Sequence, residues 1–116
     1  MKDLAPHLSR QRLIIEGIPS AAVGCQEVKD FLEGLSKEIG MKILVPAQTH
    51  RTDFPKHHSG WSGWLHWVES GCFFHAWDSP LFFAADLFSC KKFSAEKAVA
   101  FTKKFFRAKE IAFREP

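Results

Sequence analysis

Residues 67–77 read WVESGCFFHAW, and the polar groups of this stretch gather at a corner. Two aromatic runs meet at Glu69-Ser70-Gly71, and a lone histidine, His75, follows the serine by five residues. A hydroxyl and an imidazole that titrates near neutral pH are parts from which nucleophilic and acid–base chemistry is built. The same residues also suit an ordinary hairpin. Serine and glycine are common turn residues, and a histidine within a strand usually plays a structural part. Two further candidates stand nearby, Ser62 in the preceding aromatic run and Cys90 at the end of the following one. Spacing alone leaves both readings open.

The elements that must position these groups are legible as a pattern. "RLIIEGIP" reads as a first strand ended by Gly17 and Pro19. In "CQEVKDFLEGLSKEIG", Val28, Phe31, Leu32, Leu35 and Ile39 recur at helical spacing, and Gly40 stops the helix. "MKILVPAQ" reads as a second strand, and "THRTDFPKHHSG" has the polarity of a loop. "WSGWLHWVE", "CFFHAW" and "LFFAADLFSC" read as three consecutive strands, separated by Ser70-Gly71 and by Asp78-Ser79-Pro80. "SAEKAVAFTKKFF" reads as a second helix with Ser94 as N-cap, and "EIAF" as a closing strand. The order β-α-β-β-β-β-α-β predicts an α+β two-layer sandwich, an antiparallel sheet with two helices on one face.

With 116 residues there is room for one domain, covering 1–116. The chain carries 12 Phe and 4 Trp, more aromatic area than one small core can hide. Along one strand Trp61, Leu65 and Trp67 point one way, and Trp64 and Val68 the other. Two helices cover one face only, so the open face is expected to pair with a second copy as a homodimer. The net charge of +3 is mild, and its one basic run (Lys103, Lys104, Arg107, Lys109) sits at a helix end, where the macrodipole explains it. No nucleic-acid partner is expected. Three cysteines at wide spacing, Cys25, Cys72 and Cys90, are neither a disulfide framework nor a zinc half-site. The first residues lack an apolar signal core and no run reaches membrane-spanning length, so no membrane partner is expected and a reducing cytoplasm is.

Taken together, Ser62-Gly63, Glu69-Ser70-Gly71, His75-Ala76-Trp77-Asp78-Ser79 and Asp86-Leu87-Phe88-Ser89-Cys90 form a set. It resembles the short bacterial and archaeal class of S-adenosylmethionine decarboxylases, which make their own pyruvoyl cofactor. The likeness covers most of the chain with the spacings unbroken. It implies that Ser70 attacks the Glu69 carbonyl and turns that peptide bond into an ester. Ser62 would then support the oxyanion, and His75 would remove the Ser70 α-proton. The implied products are residues 1–69 and 70–116, the second capped by a pyruvoyl group derived from Ser70. Such a ketone takes up the α-amine of a small amino-acid substrate and draws electrons as carbon dioxide leaves. Cys90 is the implied acid that protonates the resulting carbanion, whereas Cys25 and Cys72 read as small buried apolar residues.

Two stations depart from the family pattern. Gly71 replaces the histidine that follows the family's serine, and Ser79 replaces the glutamate associated with the ribose hydroxyls of S-adenosylmethionine. One hydroxyl does not replace a carboxylate that accepts two bonds from a diol. Members of the family that act on L-ornithine or L-arginine would have use for a free acid, for which Asp78 or Asp86 is available. These departures tilt the expected substrate narrowly toward a basic amino acid, with S-adenosylmethionine as the alternative; both lie in polyamine synthesis. Phe54 and Trp61 are expected to line the substrate cleft, with Asp78 and Ser79 beside them. Gly71 also leaves room for an unprocessed, non-catalytic homologue that partners an active subunit. A metal site built on His50, His57, His58, His66 and Cys90 is disfavoured, because adjacent histidines seldom bind one ion.

Overall fold

Alternation of large apolar and polar residues dictates half-buried strands, and those strands pair as one antiparallel sheet. The computed structural model describes residues 1–54 and 59–116. Its elements are β1 (Gln11–Ile18), α1 (Cys25–Glu38), β2 (Ile43–Thr52), β3 (Gly60–Trp67), β4 (Ser70–Trp77), β5 (Phe82–Ser89), α2 (Ala95–Phe105) and β6 (Glu110–Arg114). The six strands lie in the order β2-β3-β4-β5-β1-β6, with every neighbour antiparallel. This is the α+β sandwich expected, in the expected element order.

Both helices bury their apolar stripes against one face of the sheet. Val28, Phe31, Leu32 and Leu35 of α1 are fully buried, at the i, i+3, i+4, i+7 positions of one helical face. They meet Leu65 and Trp67 of β3, Phe74 of β4, and Phe83, Ala85 and Leu87 of β5. Phe31 is the hub, its ring 5.1 Å from that of Phe74 and 4.8 Å from that of Phe106. Ser94 caps α2 by accepting from the Lys97 amide at 3.1 Å, and Gly40 takes a φ of 73° just past α1. Beneath α1, the Trp67 indole N–H donates to Ser36 Oγ at 2.8 Å, and Ser36 Oγ donates to the Leu32 carbonyl at 2.7 Å.

Two sequence expectations are corrected. The turn between β3 and β4 is Val68-Glu69, not Ser70-Gly71: Trp67 pairs directly with Ser70, so the serine opens a strand. Residues Thr49–Thr52, read as loop, extend β2 and pair with Gly60–Gly63. Pro46 is tolerated because β2 is an edge strand with a register shift between Val45 and Gln48.

Among the described residues, no element is layered on the other sheet face. Trp64 and Phe73 there are 37% and 52% exposed, among Ile14, Trp77, Phe82 and Phe88, which are only partly buried. Among the described residues, no helix is long and apolar enough to cross a membrane.

The Ser36–Trp67 bond carries a test. Ser36→Ala strands a buried indole N–H and should cost about 1–3 kcal/mol in denaturant unfolding. An unchanged midpoint would show that the bond does not hold α1 to the sheet.

Candidate active site

Ser70 sits where three strands crowd together. Its φ is 143°, in the half of the backbone map that side chains avoid, at a cost of about 1–3 kcal/mol. Such strain persists only when neighbours impose it. Here Ser70 is in register with Trp67 of β3 and Ser89 of β5, and the Val68 amide is tied to the Lys42 carbonyl at 3.0 Å. Gly71 explains itself in the same place. A Cβ on it would lie 2.4 Å from the Leu65 carbonyl oxygen of β3. With this backbone the histidine of the family pattern has no room.

The end of β5 supplies the next two groups. The Cys90 backbone N–H donates to the Glu69 carbonyl oxygen at 2.9 Å, and Cys90 Sγ lies 3.8 Å from Ser70 Oγ. The donor already aimed at the Glu69 carbonyl is therefore the Cys90 amide. The sequence expectation gave that part to Ser62, and within one chain Ser62 is not there. Glu69 Oε1 is buried with no hydrogen-bond partner among the described residues, an unmet acceptor beside the same peptide bond. Cys72 is the opposite of reactive: it is buried on the helical face, and burial, with Asp86 adding to it, pushes its thiol pKa far up.

Ser62 and His75 face one another as register partners on β3 and β4. Five residues of strand separate His75 from Ser70, roughly 16 Å at about 3.3 Å per residue. The alternation of burial along β4 puts Cys72, Phe74 and Ala76 under the helices and His75 on the open face. One chain thus brings together Glu69, Ser70 and Cys90 at one end of β4, and Ser62 with His75 at the other. It does not bring His75 to Ser70. The His75 ring stands edge-on to Trp77, centroids 4.2 Å apart, and partial burial lowers its pKa. At neutral pH it is an uncharged proton acceptor.

The expected substrate residues cluster near that second end. Phe54 is 63% exposed, and Ser59 Oγ donates to its carbonyl at 2.6 Å. Trp61 is partly buried on the helical side, with the Arg51 guanidinium 5.9 Å from its ring. Asp78 is not a free acid: Arg51 reaches it at 2.6 Å while also holding Asp53 at 2.8 Å. Asp78 and Ser79 follow the last residue of β4, so strand alternation does not orient them. Arg51 was missed because 49–52 read as loop; the signal was the pair of β-branched threonines, Thr49 and Thr52, bracketing it. His57 and His58, named in the metal reading, lie outside the described residues.

On the open face, Ser70 and Asp86 line a shallow depression of about 570 Å³ together with Trp64, His66, Phe73 and Phe88. Among known proteins, the family model described as S-adenosylmethionine decarboxylase matches residues 19–116. No curated protein sequence matches the chain. The crystal structure of the adenosylmethionine decarboxylase from Aquifex aeolicus VF5 is similar, with a TM-score of 0.73 and 17% identity. That similarity covers 94% of this chain and 89% of that one, and at such identity it speaks for the fold.

Ring titration by NMR checks the His75 environment. Its midpoint should fall below the ordinary histidine value of about 6.5. A midpoint above 6.5 would mean a charge partner, rather than burial, controls the ring.

Proposed function

The chain belongs to the S-adenosylmethionine decarboxylase family, and we propose that it is a self-processing, pyruvoyl-dependent decarboxylase acting on S-adenosylmethionine. One observation carries the reading: the strained Ser70 lies beside a Glu69 carbonyl whose oxygen already accepts from the Cys90 amide. Charge develops on that oxygen when the Ser70 hydroxyl adds to the carbonyl carbon, and the donor stands in place beforehand. The positive φ favours the same step, because breaking the Glu69–Ser70 peptide releases the imposed geometry.

The balance of the self-cleavage is simple. Ser70 Oγ bonds to the Glu69 carbonyl carbon as the peptide C–N bond breaks, giving an ester and a free amine. A base takes the Ser70 α-proton, and Glu69 departs as a carboxylate. Water then releases the amine as ammonia, leaving a ketone at the head of residues 70–116. The setting fits that group, since the Cys90 thiol lies 3.8 Å from Oγ of the serine whose Cα would become the ketone carbon. When present, the ketone binds an amine and serves as the electron sink that lets carbon dioxide leave. Cys90 Sγ, 3.8 Å from Ser70 Oγ, is the residue that would supply the proton to the substrate carbon.

His75 is proposed as the base, and the roughly 16 Å gap along β4, too long for its own Ser70, supports its acting on the Ser70 of a second copy. Two copies packed by their open faces about a two-fold axis that crosses the strands lay one copy's Ser62–His75 end over the other's Ser70 end. The arrangement buries Trp64 and Phe73 as well. Each dimer then holds two composite sites.

The substrate preference follows from Arg51. With Asp53 and Asp78 both committed to that guanidinium, neither acid at the Phe54–Trp61 end waits for a distal amine. The exposed Phe54 ring suits an adenine or a sulfonium, whereas Trp61, turned to the helical side, does not face the depression that Ser70 lines. The reading for L-ornithine or L-arginine keeps one supporting observation, the exposed Asp86 in the same depression as Ser70.

Two experiments test the reading. Ser70→Ala and His75→Ala should each stay uncleaved alone, yet a co-expressed mixture should regain partial cleavage and carbon dioxide release. No recovery in a proven mixed dimer contradicts the composite site. Carbon dioxide release from S-adenosylmethionine, ornithine, arginine and lysine should be greatest for S-adenosylmethionine, by tenfold or more given about 1.4 kcal/mol of discrimination. Preference for ornithine or arginine would transfer the substrate role to Asp86.

A further inference from the structure

The Ser62–His75 pair does not end at Ser62. On the far side of β3, Ser62 is the register partner of His50 in β2, so His50, Ser62 and His75 form one row across three neighbouring strands. Directly opposed residues share a face and hold their Cβ atoms about 4.5–5.5 Å apart, within reach of one hydrogen bond between an imidazole and a hydroxyl. Along the strands the row is flanked by Trp64, Phe73 and Trp77, so three polar groups cross an aromatic surface together. A polar group covered by an apolar partner is costly unless it is hydrogen-bonded. A serine hydroxyl has one donor and two acceptor positions, enough to bridge two imidazoles.

We propose that His50 is a positioning residue: its imidazole hydrogen-bonds Ser62 Oγ from the side opposite His75, fixing the direction of that hydroxyl and the tautomer that His75 presents. This rests on the reading of Ser62 and His75 as the base end of a composite site. Among the three, the His75 ring is further constrained by its edge contact with Trp77, so the hydroxyl is the free rotor that His50 holds. The sequence concealed the row because His50 falls in the stretch that reads as loop.

Other ionisable groups stand farther from His75 on that face. From β5 the neighbour is Ala84, and beyond it, on β1, lies Glu16. Asp86 lies two residues along β5 and His66 four residues along β3. Arg51, next to His50, points to the opposite face and is engaged by Asp53 and Asp78. None separates His50 from Ser62.

The test uses the full chain labelled with ¹⁵N-histidine. His50→Ala should change the His75 tautomer ratio and its titration midpoint, while circular dichroism stays that of the parent. His50→Gln, which keeps a donor, should restore most of both. Ser62→Ala should produce the same His75 change by itself, and adding His50→Ala to it should add nothing, since the two act through one contact. In the cleavage assay the His50→Ala loss should be about five- to tenfold, the size of one net hydrogen bond, and should vanish in the Ser62→Ala background. A His75 ring indifferent to His50→Ala, or a His50→Ala effect that survives unchanged without Ser62, overturns the proposal. If the parent chain does not cleave, the decarboxylase reading fails, and the His75 resonances still decide the part played by His50.

Discussion

The register of β3, β4 and β5 is the constraint on which everything else turns. With Trp67 opposite Ser70, only Val68 and Glu69 remain to reverse the chain. Two-residue hairpins usually place positive φ within the loop, where glycine or asparagine accepts it. Neither stands here, and the left-handed backbone falls on Ser70 instead. β5 closes the arrangement from the other side: Ser89 opposes Ser70, and the next amide, that of Cys90, fastens the Glu69 carbonyl. A slip of one residue would send every side chain of β4 to the opposite face, lifting Phe74 out of the aromatic core. The packing of Phe74 against Phe31, Phe83 and Phe106 therefore holds the strained serine in place.

The two faces of this sheet answer to different demands. The helical face is filled to the point that Gly63 has no space for a side chain, a Cβ there lying 2.6 Å from Val28. The open face carries tryptophan and phenylalanine that the described residues leave partly exposed. Set among them, the polar row from His50 to His75 is expensive to cover unless its members satisfy one another. In the proposed dimer, stability and chemistry would draw on the same surface, because the copy that hides the aromatic groups would also bring its base end to Ser70.

Much of this was legible in the residues. Helical spacing in Val28, Phe31, Leu32 and Leu35 identifies α1, and alternation in the tryptophan-rich run assigns Leu65 and Trp67 to the core and Trp64 to the other face. The cluster of Glu69, Ser70 and Cys90 could be anticipated only as stations of a family pattern. Their contact depends on β5 lying beside β4, which no local spacing encodes. Alternation alone would put Ser70, an odd number of positions from His75, on the helical face; the positive φ of Ser70 breaks that regularity, and the residue lines the depression on the open face. The polar run Thr49–Thr52 was read as loop since threonine, histidine and arginine are neither apolar nor periodic. They form a strand because β3 offers its edge, and with them went Arg51 and His50. The Arg51–Asp78 pair joins residues 27 positions apart, beyond what sequence spacing can convey.

Behind every functional statement stands one covalent event ahead of Ser70, and intact mass of the purified full-length chain measures it most directly. The account predicts two fragments, residues 1–69 and 70–116, the second blocked at its head by a carbonyl that reacts with hydrazine reagents. A folded sample that remains one chain of 13.2 kDa, with no such carbonyl, contradicts it.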